Sequence, residues 1–278
     1  MRTILLQSHR AGPLPRWISS CLDSAAEWAA AKRIERRFIH DELFEGLPEE
    51  FIVDELFEGL PEDFIAATAA EILPRTDLGR LRWIKRLHGE GWDRVIWLDA
   101  DILIFDQSLS FTGDALGREA WIAPGLQGGF RALRKVNNAV LCFDRGSARL
   151  ARYIAVAEAL AARMAAGDAP VTRMALGPDI LTRLHVETPF PLHPDVGMIS
   201  PCMMAALANG DPAPLRAHLA VWGGAPKAVN LCGSLSGDGG IVEAAIGRLR
   251  ADPNAMRPEG RPAEVEELRA WKDAPPVW

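Results

Sequence analysis

Hydrophobic and polar positions along this chain follow two rhythms, and the alternation between them predicts a layered fold. Thr3 to Gln7 is a short apolar run of strand length, ended by Ser8-His9-Arg10-Ala11-Gly12-Pro13. From Pro15 to about Ala31 the period lengthens, with Trp17, Ile18, Cys21, Leu22 and Ala25 at helical spacing. Arg37–Ile39 reads as a second strand. A helix from Asp77, with Thr76 as its N-cap, carries the stripe Leu78, Leu81, Ile84 and Leu87. The strand Arg94–Leu98 follows, then Trp121–Ala123 and Ala139–Phe143. An alanine-rich helix covers about 148–166, and Gly177-Pro178-Asp179 opens another over 180–184. A proline-broken loop spans 189–201, and a short helix runs to Asn209. Lys227–Leu231 is expected as the last strand, with a helix from Ile241 and a charged tail helix near 264–271. Strands alternating with helices predict an α/β fold: one domain over 1–278, its mostly parallel central sheet flanked by helices, with a C-terminal helical extension over 240–278.

One stretch breaks the alternation. Asp41-Glu-Leu-Phe-Glu-Gly-Leu-Pro-Glu-Glu-Phe-Ile-Val53 recurs at Asp54 as a near-copy, identical at 11 of 13 positions. Two copies are too few for a solenoid, and each Gly-Leu-Pro interrupts a helix. The segment 41–66 is expected to be a duplicated acidic insertion on the solvated surface.

Composition narrows the function classes. A net charge of −6 opposes a general nucleic-acid binder, which needs clustered Lys and Arg to neutralise phosphates. Cys21, Cys142, Cys202 and Cys232 lie far apart with no C-x-x-C pair. That spacing predicts neither a zinc site nor a disulfide framework, and reduced thiols fit a cytoplasmic location. The apolar run at the N-terminus is too short for a signal peptide, and no window is long enough to span a membrane. Peripheral attachment to the inner face of a membrane stays open.

The candidate chemistry lies where the strand Arg94–Leu98 ends in Asp99-Ala100-Asp101. Two carboxylates one residue apart, at the exit of a buried strand, suit a hard cation such as Mg²⁺ or Mn²⁺ that keeps positions open for phosphate oxygens. Upstream, Asp77 and Arg80 lie three apart and share one helix face. After the first strand the chain lacks G-x-G-x-x-G, which opposes a dinucleotide oxidoreductase.

Thr76-Asp77-Leu-Gly-Arg80, followed by Val95-Ile-Trp-Leu-Asp99-Ala-Asp101, resembles the D-x-x-R … D-x-D signature of GT-A-fold glycosyltransferases. The similar groups are the sugar-binding region containing a DXD motif and the glycogenin-like enzymes. Asn137-Asn138 and Gly177-Pro178 are similar to later segments of such proteins, and the likeness covers roughly residues 4–184. It implies a metal-dependent transfer of a sugar from a UDP- or GDP-sugar to a glycan, lipid or protein acceptor, with retained anomeric configuration. Under it, Asp101 chelates the metal, Asp99 holds the ribose or the metal through water, and Asp77 and Arg80 contact the donor. Asn138 and Asn137 would hydrogen-bond the transferred sugar, or else be turn asparagines before a strand. Gln7 and His9 would lie near the base. Asp179 would sit near the acceptor or cap its helix.

The chain departs from the glycogenin-like pattern near its C-terminus. Where those enzymes place a metal-binding His-x-x-Gly, this chain has Asn230-Leu-Cys-Gly233-Ser234. Asn230 offers a carbonyl oxygen to a metal. The run from Gly233 and Ser234 to Gly240 is either a diphosphate cradle at a helix start or a flexible connector. Trp17, Trp121 and Trp222 are candidates to stack a sugar face. Two alternatives share this fold: a sugar-nucleotidyltransferase, and a non-catalytic sugar- or nucleotide-binding protein.

Overall fold

The computed structural model describes residues 1–9, 13–40, 56–126, 128–232, 235, 239–261 and 263–269. In chain order the elements are β1 (Thr3–His9), α1 (Arg16–Lys32), β2 (Glu35–His40), α2 (Glu62–Ala67), α3 (Leu73–Gly89), β3 (Arg94–Leu98) and β4 (Ile102–Ile104). There follow β5 (Ala115–Pro124), β6 (Phe130–Asp144), α4 (Ala148–Ala165), a π-helical turn (Ala175–Asp179), α5 (Ile180–Glu187), β7 (Val196–Met198) and α6 (Pro201–Asn209). The chain continues through α7 (Ala213–Trp222), β8 (Ala228–Asn230), α8 (Gly239–Ala251) and β9 (Val265–Arg269).

The fold is mixed α/β, a central sheet flanked by helices. Its strand order is β2-β1-β3-β6-β5, with β9 beside β6. β1 pairs parallel with β2 and β3, β9 pairs parallel with β6, and β6 runs antiparallel to β3 and β5. β3 lies between β1 and β6 and is buried on both faces, which is why it reads as an unbroken apolar run. Its side chains alternate: Val95 and Trp97 enter a core with α3 and α4, while Ile96 and Leu98 enter the core under α1. A second sheet, β4-β8-β7, packs against α1 through β4. There the backbone N–H of Ile104 donates to Ser24 Oγ at 3.0 Å.

Several boundaries differ from the sequence expectation, each for a physical reason. α3 starts at Leu73, because Pro74 is tolerated in a first helical turn. Thr76 therefore lies inside the helix, its hydroxyl donating back to the Ile72 carbonyl at 3.3 Å, and is not the N-cap. β6 begins at Phe130, nine residues before the expected strand, so Asn137 and Asn138 are strand residues and not turn asparagines. Its first half carries Arg131, Arg134 and Lys135, whose charges mask the strand period. The loop 189–201 contains β7, and α7 was not anticipated. Lys227–Leu231 does hold a strand, β8, but it is not the last one. Val265–Arg269, expected as part of a tail helix, is strand β9, added to the edge of β6. Residues 270–278 lie outside the described part.

The largest correction concerns the duplicated segment. The first copy lies outside the described residues, but the second is described from Leu56 onward. Its apolar residues are core: Leu56, Phe57, Leu60 and Phe64 are at most 8% exposed and pack with Leu78, Leu81 and Ile84. α3 is shaped to receive them. A Cβ on Gly79 would lie 2.5 Å from the Leu56 carbonyl oxygen, so only glycine fits that turn of the helix. The acidic residues alternate with this apolar set and face outward, Glu58 pairing with Arg86 at 3.1 Å. The expectation of a solvated insertion thus fails for residues 56–65. Phe64→Ala should cost about 3–5 kcal/mol of unfolding free energy, the range for emptying a core aromatic site. Chemical denaturation reads this directly; a loss under about 0.5 kcal/mol, the surface value, would restore the solvated reading. Among the described residues no helix is long and apolar enough to cross a membrane.

Candidate active site

The two sheets meet at Asp99-Ala100-Asp101. β3 stays in the large sheet to Leu98, opposite Val140, and the Asp99 N–H still donates to the Ala139 carbonyl at 2.8 Å. Ile102 already belongs to the small sheet, opposite Asn230. Ala100 is buried against Ile18 and Leu22 of α1, and the carboxylates on either side of it are partly exposed.

Arg80 reaches this junction from α3. Its Nη1 lies 3.1 Å from Asp99 Oδ1, its Nη2 lies 3.4 Å from Asp77 Oδ1, and its guanidinium sits 5.0 Å from the centre of the Trp97 ring. Trp97 also donates its indole N–H to Asp99 Oδ1 at 2.6 Å. A third acceptor for Arg80 comes from an irregular strand. The β5–β6 register jumps from Leu116↔Leu141 to Gly117↔Asn137, so 138–140 have no partner on β5. The Asn138 carbonyl, released from that ladder, accepts from Arg80 Nη1 at 2.9 Å. The Asn138 side chain donates Nδ2 to Asp77 Oδ1 at 2.8 Å.

The π-helical turn closes over this pair. A Cβ on Gly177 would fall 2.4 Å from Asn138 Nδ2 and 2.6 Å from Asp77 Oδ2, and the residue adopts φ −104°, ψ −110°. Asp77 is therefore 4% exposed. Burial raises its pKa to about 6, against the lowering effect of Arg80. Asp77 thus meets Arg80 and Asn138 and is sealed from solvent by Gly177.

Asp101 has a different partner. Asn230 Nδ2 donates to its Oδ1 at 2.8 Å. The Asn230 amide orientation follows from its other end, where Oδ1 accepts from the Cys232 backbone N–H at 2.9 Å and from its thiol at 2.6 Å. A flipped amide would set N–H against N–H. Asn230 therefore presents a donor to Asp101, and its carbonyl oxygen is already engaged. Cys232 makes this possible by adopting φ 46°, a left-handed conformation rare outside glycine. Burial and then the neighbouring charge of Asp99 raise the Asp101 pKa to about 7.

The other anticipated residues divide. Gln7 is fully buried: its Oε1 accepts from Arg36 Nε at 2.9 Å, and its Nε2 has no acceptor among the described residues. His9 ends β1 and does not lie in the loop. Asn137 points to the opposite face from Asn138. Its Oδ1 accepts from the Ala139 N–H at 2.6 Å, and its Nδ2 lies 3.4 Å from Met198 Sδ. Asp179 makes no side-chain cap, since the π-helical turn runs straight into α5; its carboxylate is exposed, with its pKa raised by partial burial. Gly233 and Ser234 lie outside the described residues. Trp222 is 5% exposed, its ring 3.8 Å from the Arg118 guanidinium and stacked on His218, which removes it as a sugar platform. Trp17 and Trp121 stay partly exposed.

Sequence reasoning missed Trp97 and Cys232. Trp97 carried a signal: a residue two before Asp99 on a strand shares its face, and an indole there can donate to the carboxylate. Cys232 carried none, because its left-handed backbone and its bonds to Asn230 exist only in the folded chain.

A divalent cation fits the donor set in part. Asp77, Asp99 and Asp101 outnumber the single guanidinium among them, and Asp101 is held above the usual carboxylate range by burial and a like charge. A cation relieves both. Among the described residues no three His, Cys, Asp or Glu side chains come together as a metal cage. Protein ligands would then be Asp99 and Asp101, with water or phosphate oxygens completing the shell.

No protein-family model matches the chain, and no curated protein matches it. Among solved structures, the chain is similar to a glycosyltransferase involved in the glycosylation of the major capsid of PBCV-1. Identity is 10% over 59% of this chain and 67% of that one, with a TM-score of 0.29.

Proposed function

We propose that this chain is a metal-dependent glycosyltransferase that moves a sugar from a nucleoside-diphosphate sugar, UDP- or GDP-linked, to an acceptor. The observation that carries the reading is the meeting of Asp99, Asp101 and Arg80 where β3 leaves the large sheet. Transfer splits the bond between sugar and diphosphate, leaving charge on the phosphates. Bound Mn²⁺ or Mg²⁺ would supply the positive charge that stabilises it. The chain's own residues prepare the place. Arg80 and Trp97 fix Asp99 through Oδ1, Asn230 fixes Asp101 through Oδ1, and Asp77 with Asn138 keeps the Arg80 fork from rotating. In this reading Asp77, Asn138 and Asn230 are positioning residues. Retained configuration rests on the family resemblance.

Thermal unfolding with and without metal tests the reading. Mn²⁺ together with UDP or GDP should raise Tm by several degrees, since ligand at about 100 times its Kd adds about 2.7 kcal/mol. Neither component alone should match that rise. A nucleotide shift of the same size in EDTA would leave a metal-independent binding protein.

A further inference from the structure

One face of the β5–β6 ribbon has no role in the reading so far. On one face Ala120, Ile122, Ala132 and Val136 are at most 1% exposed and belong to the core, with the half-buried Arg118 and Arg134 beside them. The other face pairs Glu119 with Lys135 and Trp121 with Leu133 across the strands. Trp121, Leu133 and Lys135 stay half-buried there, and among the described residues neither Trp121 nor Leu133 joins a core cluster. An antiparallel face of this kind is ordinarily polar. Here it carries a tryptophan and a leucine directly opposite each other, beside an acid–base pair that is itself half sunk, Glu119 being 8% exposed.

This face leads to Asp99 and Asp101. Asn137 follows Lys135 on the same side of β6, and its Nδ2 lies 3.4 Å from Met198 Sδ of β7. Met198 lies opposite Asn230 in the small sheet, and Asn230 donates to Asp101, so this side of β6 borders the junction. The strip thus runs from an aromatic platform, past a charged pair, to the carboxylates. Flat aromatic surface edged by a few fixed polar groups suits a pyranose: the negative face of the indole attracts the polarised C–H groups of one sugar face, and the rim takes its hydroxyls.

We propose that this face seats the acceptor of the transfer, with Trp121 as the platform and Glu119 and Lys135 as the hydroxyl-binding edge, and that the acceptor ends in a pyranose. The inference rests on the glycosyltransferase reading, and its test separates the two.

The probes are the p-nitrophenyl glycosides of glucose, galactose, mannose and N-acetylglucosamine, supplied with Mn²⁺ and whichever nucleotide sugar the wild-type protein hydrolyses. Wild type should transfer to at least one of them. Trp121→Ala should raise the KM for that glycoside about tenfold or more, and Trp121→Phe, which keeps a flat ring, should recover most of the loss. Nucleotide affinity, to which Trp121 contributes nothing in this arrangement, serves as the fold control. An unchanged glycoside KM in Trp121→Ala overturns the platform. Donor hydrolysis without transfer to any glycoside overturns the pyranose acceptor and points to a lipid or protein one. If no nucleotide sugar is hydrolysed, the transferase reading fails by itself. Saturation-transfer NMR with the same glycosides then decides the platform: signal lost in Trp121→Ala supports it, and no signal from wild type ends it.

Discussion

Asp101→Asn should lower metal-dependent nucleotide-sugar turnover by about a thousandfold or more, which corresponds to about 4 kcal/mol of lost transition-state stabilisation. The substitution keeps the shape and can still accept from Asn230 Nδ2, so the small sheet should hold. Only the charge goes. The same charge burdens the metal-free fold, since Asp101 is desolvated beside Asp99. The variant should therefore melt a few degrees above wild type without metal, and should no longer gain from Mn²⁺ and nucleotide. Calorimetry at fixed pH, alongside donor hydrolysis, checks both halves. A variant that still shows the full metal-dependent shift would remove Asp101 from the site.

Arg80 should give the second large effect, and on two axes. Arg80→Lys replaces a planar fork serving Asp99, Asp77 and the Asn138 carbonyl by a single ammonium; turnover should fall about a hundredfold or more. Arg80→Met removes the charge and strands Asp77 in the core. Losing one partner of a buried pair costs about 3–5 kcal/mol. The pH dependence identifies the cause. Asp77 already has a folded pKa of about 6, above the ordinary carboxylate value of 3.8, and removing Arg80 raises it further. A carboxylate with a raised folded pKa lets the folded state hold a proton that the unfolded state has released. Stability is therefore present at low pH and is lost as pH rises through that window. Arg80→Met should be far less destabilised at pH 5 than at pH 8. Arg80→Met/Asp77→Asn should regain most of the stability at pH 8 and none of the activity. If the double variant stays as unstable as the single one, the loss is one of packing and not of charge.

The candidate site was partly legible before any coordinates. Asp99 and Asp101 stand at the end of a five-residue run that is strand-sized and too short for a helix, which reads as a strand buried on both faces. Asp77 and Arg80 share a helix face because 3.6 residues make a turn. What the spacing does not contain is direction relative to a third element. Asp77 was expected at the donor, yet Gly177, one hundred residues later, covers it and turns it toward Arg80 and Asn138. Asn230 was expected to offer an oxygen, yet the left-handed turn at Cys232 claims that oxygen and leaves the amide nitrogen for Asp101. Glu119 and Lys135 were ordinary charges until the β5–β6 register paired them.

The chain alone therefore determined its α/β layering, most helices and strands that bury a continuous face, and the acidic pair where β3 ends. All of these depend on side-chain period and local burial, which neighbours in sequence decide. Tertiary structure decided the rest. The apolar residues of the second copy from Leu56 onward proved to be core because α3 offers a glycine-floored slot, although the segment is as acidic as a surface loop. Val265–Arg269 became a strand because β6 had an open edge, which no propensity within five charged and apolar residues could announce. Arg80 became a three-way clamp because an irregularity in β6 freed one carbonyl. Each outcome rests on a partner distant in sequence, and a partner of that kind enters the energy only once the chain has closed on itself.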